Sequence, residues 1–211
     1  MNKIVGFLIS KTKKLNLNID VFNVGLKLIE VSYAGYYIYI WGIGDISKCK
    51  IQNKYCFSFP LHDDLLDRNI VLSLENNTIT IENDWLGSIP IFYNSKENIV
   101  STIANFCLKD KTIDEEGLSN FCEFGYSVFE QTIFKDVKFM RYYSKLIISN
   151  NGINIEYKED PVLSMLFLEK GYDEDEVINL MQSYVSSIES KIDGDIVLPT
   201  SGGYDSRLLN Y

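Results

Sequence analysis

The stretch that decides the fold is Lys145-Leu-Ile-Ile-Ser149, Asn150-Asn151-Gly152 and Ile153-Asn-Ile-Glu-Tyr157. Two runs rich in β-branched residues flank a polar turn, which predicts a β-hairpin. Residues 70–74 and 78–82 repeat the pattern around an Asn-Asn turn, and residues 89–93 and 99–102 repeat it around a polar turn at 94–98. Three hairpins in one region predict antiparallel sheet.

Outward from these hairpins, the region up to residue 158 is mainly β with few helices. The apolar runs at 4–9 and 36–41 are predicted strands. Asp114 is a candidate helix cap, with Glu115 and Glu116 in the first turn, and residues 103–108 suggest a shorter helix. The pattern predicts an α+β first domain over residues 1–158, arranged as a two-layer β-sandwich with helices outside it.

The composition changes over residues 159–211. After a mixed stretch at 158–172, four acids at 173–176 begin a predicted helix, whose apolar residues recur at helical spacing as far as Ile188. Residues 195–198 are predicted to form a short apolar strand, the loop Thr200–Gly203 follows it, and residues 204–209 have the pattern of a helix start. This order predicts the incomplete beginning of an α/β nucleotide-binding domain.

The loop Ser201-Gly202-Gly203-Tyr204-Asp205-Ser206 carries candidate binding residues. Gly202 and Gly203 allow close backbone approach, so their amides can form an anion-binding nest with the first free amides of the helix. Ser201 and Ser206 add hydroxyl donors. Asp205 lies beside the predicted phosphate, which is favourable only if a cation such as Mg²⁺ lies between them.

This loop resembles the pyrophosphate-binding loop of the ATP pyrophosphatase family, which includes asparagine synthetase and β-lactam synthetase. The resemblance implies ATP and Mg²⁺ as cofactors of the full-length protein, and Asp205 as the metal-binding residue. It also implies that a carboxylate substrate is adenylated with release of pyrophosphate. Two positions depart from the family pattern, because Pro199 precedes the loop and Arg207 stands where a small residue is common.

The first domain has a second resemblance. Asp84-Trp85-Leu86-Gly87-Ser88-Ile89-Pro90-Ile91-Phe92-Tyr93 resembles a stretch of the glutaminase domain of asparagine synthetases, as do Gly125-Tyr126 and Thr132-Ile-Phe-Lys-Asp-Val137. The fold implied is the four-layer αββα sandwich of N-terminal-nucleophile hydrolases. From the residues themselves, Asp84 is interpreted as a turn residue rather than a catalytic one.

A working glutaminase of that class needs a cysteine at its mature terminus, whereas this chain begins Met1-Asn2-Lys3. The family's Asn-Gly-Glu-x-Tyr-Asn stretch is also absent. His62 is interpreted as a loop histidine. No catalytic residue is therefore assigned, and the domain resembles the inactive glutaminase-like domain of β-lactam synthetase.

Composition and charge limit the kinds of binding partner that the sequence favours. The 29 acidic and 20 basic residues give a net charge of −9, which disfavours nucleic acid. The longest apolar stretch is too short and too Tyr-rich to span a bilayer, so no membrane partner is predicted. The chain has four cysteines, Cys49, Cys56, Cys107 and Cys122, and they lack the close pairing of ligands that a structural zinc site usually has. The sequence therefore favours reduced thiols in a cytoplasmic protein.

Three functions remain open from the sequence. The leading hypothesis is an asparagine-synthetase-related, ATP-dependent amide-forming ligase that does not use glutamine. The alternatives are a non-catalytic binding or scaffold domain with a vestigial phosphate loop and, third, a glutamine-dependent asparagine synthetase. Because only one parallel strand is present, the 211-residue chain is predicted to be inactive alone, to bind ATP weakly and to self-associate through its C-terminal segment.

Overall fold

The structure, a computed structural model, describes residues 3–14, 17, 19, 25–58, 69–160, 173–190, 194, 195 and 203. The chain divides into two compact units, Met1–Phe167 and Leu168–Tyr211. The boundary predicted after residue 158 lies within the first unit, nine residues before its end.

The first unit contains two antiparallel six-stranded sheets, so the predicted α+β class with a two-sheet sandwich is confirmed. The first, sheet 1, has the order β10-β8-β9-β1-β3-β2. Its strands are β1 (Lys3–Ser10), β2 (Lys27–Tyr33), β3 (Tyr36–Ile43), β8 (Phe92–Asn94), β9 (Ile99–Ser101) and β10 (Lys138–Phe139).

Sheet 2 has the order β12-β11-β7-β6-β5-β4. Its strands are β4 (Lys50–Ile51), β5 (Lys54–Ser58), β6 (Asn69–Glu75), β7 (Thr78–Glu82), β11 (Ser144–Ser149) and β12 (Gly152–Tyr157). All three predicted hairpins are confirmed, as β6–β7, β8–β9 and β11–β12. In the second of them the first strand begins at Phe92 rather than at Ile89, beyond Pro90, which has no amide to donate.

The main core lies between the two sheets and is called the inner core. Phe7 of β1 meets Phe57 of β5 edge to face, with ring centroids 5.4 Å apart. Buried aliphatic residues from both sheets surround this pair, including Ile9, Ile38 and Ile40 from sheet 1 and Ile70, Leu72, Ile79, Ile81, Leu146 and Ile148 from sheet 2. Burial of apolar side chains from both sheets is what holds the sandwich together.

Sheet 1 has a second buried face, called the outer cluster, on the side away from sheet 2. It consists of Leu8, Tyr39, Trp41, Ile99, Cys107 and Val137. A 3₁₀ helix at Ala104–Cys107 helps to cover it, and Phe106 of this helix meets Trp41 edge to face at 6.0 Å. The short helix predicted at 103–108 is thus present, in the tighter 3₁₀ form.

Two α-helices occur in the described residues, one in each unit. Helix α1 (Glu115–Phe124) begins at Asp114, whose side chain accepts a hydrogen bond from the Gly117 amide at 3.0 Å, as the sequence predicts. Gly117 lies against the Thr132 carbonyl, where a Cβ atom has no room. Helix α2 (Glu174–Glu189) belongs to the second unit and confirms the predicted acidic helix start.

The strands at 27–33 and 54–58 were not predicted from the sequence. Strand β2 pairs along its whole length with β3, through a turn in which Ala34 and Gly35 have positive φ. No helix in the described parts of the chain combines the length and the apolar character needed to cross a membrane.

Candidate functional site

Between β7 and β11 the chain crosses from sheet 2 to sheet 1 and back again. The first crossover is residues 83–91 and the second is residues 140–143, and hydrogen bonds join the two. Asn83, which is buried, donates from Nδ2 to the Arg141 carbonyl at 2.8 Å and accepts from the Ser144 amide at 2.7 Å. The Tyr143 amide donates to the Asp84 carbonyl at 3.0 Å. One short stretch of the first crossover is therefore fixed to one short stretch of the second.

Asp84 shapes the first crossover. Its Oδ1 accepts hydrogen bonds from the amides of Leu86 and Ser88, each at 3.0 Å, and the turn places Gly87 at a φ of +60°. These bonds confirm the interpretation of Asp84 as a turn residue. Its Oδ2 is buried and accepts no hydrogen bond from the described residues. Asp84 thus positions Leu86 and Gly87 and fixes the direction of this loop.

The second sequence motif is also structural. Gly125 ends α1 with a φ of +78°. Thr132 is buried, and its hydroxyl accepts from the Phe134 amide at 3.1 Å and donates to the Val137 carbonyl at 2.7 Å. The loop from Thr132 to Val137 is closed by these bonds, and Val137 thereby joins the outer cluster.

Between these two motifs lies a cleft of about 560 Å³, within the first unit. Its walls come from the first crossover, from the end of α1 with the loop that follows, and from the second crossover. The lining residues are Leu86, Gly87, Phe124, Tyr126, Ser127, Val128, Phe129, Glu130, Phe139, Arg141 and Tyr142. The structure thus brings Leu86 and Gly87 of one motif together with Tyr126 of the other.

Sequence reasoning did not find Phe129, Glu130, Arg141 and Tyr142 as site residues. They come from two separate stretches of chain and match no spacing rule. The only signal is compositional, because residues 121–129 are unusually rich in aromatic side chains. That signal does not by itself distinguish a binding surface from a core segment.

The four cysteines are unpaired thiols. Cys107 lies in the outer cluster, where burial raises the pKa of its thiol to about 12, and its Sγ donates to the Phe92 carbonyl at 3.4 Å. Burial also raises the pKa of Cys56. Both changes disfavour the thiolate that nucleophilic catalysis requires. Cys49 is partly buried and Cys122 is exposed on α1.

The predicted phosphate loop lies mostly outside the described residues, as do Ser201, Gly202, Asp205 and Ser206, together with His62. Gly203 is described, as an exposed bend. Throughout the described ranges, no three His, Cys, Asp or Glu side chains are grouped as a metal site would require. The roles of Asp205 and Mg²⁺ therefore stay predictions.

Comparison with known proteins gives no identification, because no family model matches the chain and no curated protein matches it significantly.

Proposed function

We propose that the chain is the N-terminal part of an asparagine-synthetase-related, ATP-dependent ligase that forms amides by adenylating a carboxylate. The observation that carries the proposal is the sequence Ser201-Gly-Gly-Tyr-Asp-Ser206, which follows an apolar segment and precedes a helix-like one. The proposed location is the cytoplasm, in keeping with four unpaired thiols.

The first unit supports this proposal through its architecture. Two packed antiparallel sheets are what a glutaminase-like domain of the N-terminal-nucleophile class has at its centre, and the proposal extends them to the four-layer αββα sandwich. The motif residues Asp84, Gly125 and Thr132 have structural roles here. Structural roles of this kind suit a domain that keeps the fold without the activity.

Thiol chemistry supports the absence of glutaminase activity. None of the four cysteines lies at the N-terminal end of β1, where this class places its nucleophile, and burial raises the pKa of Cys56 and Cys107. We therefore expect no glutamate above a heat-inactivated control when the protein is incubated with glutamine. Glutamate production at a catalytic rate would instead favour a glutamine-dependent asparagine synthetase.

In the proposed ligase, ATP supplies the adenylate group that turns a carboxylate into an electrophile. The amides of Gly202 and Gly203 and the hydroxyls of Ser201 and Ser206 would hold the pyrophosphate portion of the nucleotide. Asp205 would reach the same portion through Mg²⁺. No catalytic side chain is assigned.

The test is a titration of the protein with magnesium pyrophosphate, followed by ³¹P NMR. We expect weak binding, in the millimolar range, that falls at least about tenfold in Asp205→Asn, a loss of roughly 1.4 kcal/mol. Asp195→Asn is the matched control, because it removes the same charge from the segment that precedes the loop. Equal binding by all three proteins would overturn the role given to the loop.

The second candidate is a non-catalytic binding domain with a vestigial loop. The cleft in the first unit favours it specifically, because the described residues that line this cleft all lie between Leu86 and Tyr142. A protein that binds no magnesium pyrophosphate while binding a ligand in the cleft would favour this second candidate over the ligase.

A further inference from the structure

The cleft contains an arginine, Arg141, that pairs with no acidic side chain among the described residues. The guanidinium of Arg141 lies over the ring of Tyr142 at 5.2 Å and over the ring of Tyr157 at 5.6 Å. Within the described part of the molecule its side chain forms no ion pair and no hydrogen bond. Contact with two aromatic rings fixes the plane of the guanidinium while leaving its N–H donors for another group.

Tyr142 is itself held in place by a hydrogen bond to Asp160. Its hydroxyl donates to Asp160 Oδ2 at 3.3 Å, and the indole Nε1 of Trp85 donates to Oδ1 of the same carboxylate at 3.3 Å. One ring that contacts Arg141 is therefore fixed by a side chain outside the cleft. This arrangement positions a cation before any ligand arrives.

A second part of the cleft lining is aromatic and exposed to solvent. Phe129 is 75% exposed and Tyr126 is 63% exposed. Both rings contact the ring of Phe124, at centroid distances of 6.4 Å for Phe129 and 6.5 Å for Tyr126. Large aromatic side chains that cluster on a surface without a covering group mark a binding site more often than single exposed ones.

The backbone holds part of this wall at a conformational cost. Phe129 and Glu130 have φ values of +53° and +59°, in a tight turn closed by the Gln131 amide and the Val128 carbonyl at 2.9 Å. The chain uses Asn76 and Asn77 for the same conformation in its β6–β7 hairpin, where short polar side chains tolerate it. A bulky pair held in this strained conformation is typical of functional sites.

Charge defines the kind of ligand. Among the described lining residues, Arg141 is the one cation and Glu130 the one anion. The Glu130 carboxylate already accepts the Tyr157 hydroxyl at 2.9 Å. One guanidinium and one carboxylate in the same lining suit a monoanion and disfavour phosphate or a nucleotide, which would bring two or more negative charges into a cleft that already contains Glu130.

We infer that the cleft binds a small aromatic carboxylic acid. The carboxylate pairs with the Arg141 guanidinium, and the ring lies among Phe124, Tyr126 and Phe129. The volume of about 560 Å³ is within the range of small-molecule sites. None of the residues on which this inference rests belongs to the phosphate-loop sequence, so the inference holds whether or not the chain is part of a ligase.

The probe is 3-phenylpropionate, titrated into the ¹⁵N-labelled protein and followed by two-dimensional NMR. We expect saturable shifts of the Gly87 and Ser127 amides and of the Arg141 Nε–H signal, because all three groups belong to the cleft lining. The neutral 3-phenylpropanamide should bind at least about tenfold more weakly, since it cannot form the charged pair. Acetate, which lacks the ring, should produce no saturable shift at the same concentrations.

Three variants test the residues. Arg141→Gln should weaken 3-phenylpropionate about tenfold, and Lys135→Gln, which removes a cation from an exposed position outside the cleft, should leave it unchanged. Glu130→Gln should strengthen binding several-fold, because it removes a negative charge from the cleft lining.

The inference is overturned if the acid and the amide bind the wild-type protein equally, or if their shifts fall outside the cleft. That comparison needs no variant, so it stands even if Arg141→Gln does not fold. Unchanged affinity in a folded Arg141→Gln protein would also overturn it.

Discussion

The two sheets of the first unit differ in how many of their faces are buried. In sheet 1 the central strands β1 and β3 are buried on both faces, with Phe7 in the inner core and its neighbour Leu8 in the outer cluster. In sheet 2, buried and less buried residues alternate along the strands. In β11, for example, Leu146 and Ile148 are buried while Lys145 and Ile147 are half-buried.

This difference explains what each strand looks like in the sequence. A strand covered on one face shows apolar and polar residues in turn, as β7 does over Thr78–Glu82. A strand covered on both faces is a continuous apolar run, as β1 is. Sheet 1 therefore has the second hydrophobic face that the 104–107 helix and the loop up to Val137 must cover.

The largest expected effect is in the inner core. Phe7→Ala removes a fully buried ring that contacts Phe57, and should lower the free energy of unfolding by about 3–5 kcal/mol. Val5→Ala is the control on the same strand, because Val5 is 40% exposed, and it should cost about 1 kcal/mol or less. Urea denaturation measures both, and similar losses would contradict the assignment of the inner core.

A more direct comparison uses the outer faces of the two sheets. Leu8→Ala opens a cavity in the outer cluster and should cost about 2–5 kcal/mol. Ile147→Ala on the outer face of β11 should cost only about 1 kcal/mol, because that side chain is already partly accessible to water. If Ile147→Ala proved as costly as Leu8→Ala, sheet 2 would also have a covered outer face.

The crossovers that join the sheets should be more sensitive to substitution than the solvent-facing side of sheet 2. Asn83→Ala leaves the Arg141 carbonyl and the Ser144 amide without their side-chain partner, at a cost of about 1–3 kcal/mol. Asn154→Ala is the control, because Asn154 is exposed on β12 and should change stability by about 0.5 kcal/mol or less. Thermal unfolding of the two variants measures this difference, and equal midpoints would show that the crossovers are not fixed by Asn83.

The sequence predicts the parts of the fold that depend on local chemistry. Asn76-Asn77 and Asn151-Gly152 favour tight turns, so the hairpins they join could be located within a few residues. Asp114 marks the start of α1 for the same reason. Strands β2 and β5 lack such signals, because what makes them strands is pairing with β3 and β6.

The cleft could not be predicted in the same way. Its walls come from residues 86–87, 124–130 and 139–142. Asn83 and the Asp84 carbonyl hold the first of these stretches near the third, and the Phe139 amide joins the third to the second by donating to the Glu130 carbonyl at 3.0 Å. Motif resemblance indicated Leu86, Gly87 and Tyr126 but gave no reason to connect them with Arg141. Tertiary contacts between distant segments are what a single sequence does not display.

The smallest expected effect concerns an ion pair of sheet 2, between Glu82 at the end of β7 and Lys158 just after β12. The Lys158 ammonium donates to Glu82 Oε2 at 2.8 Å, and this hydrogen bond holds the pKa of the Glu82 carboxyl below its ordinary value of 4.5. A lowered folded-state pKa contributes stability above pH 4.5, and that contribution is lost as pH falls through the lower folded value.

Both side chains are more than a third exposed, at 38% and 37%, so Lys158→Gln should cost only about 0.2–1 kcal/mol at pH 7. The difference from wild type should disappear in acid and shrink in 1 M salt, because both conditions remove or screen the charge on Glu82. Urea midpoints at pH 7 and pH 3 measure it, with Lys111→Gln as a control that removes a cation from an exposed position without an ion pair in the described structure. A Lys158→Gln deficit that persists unchanged at pH 3 would mean that the lysine stabilises sheet 2 by the packing of its stem against Tyr143, over whose ring its ammonium lies at 5.3 Å, rather than by charge.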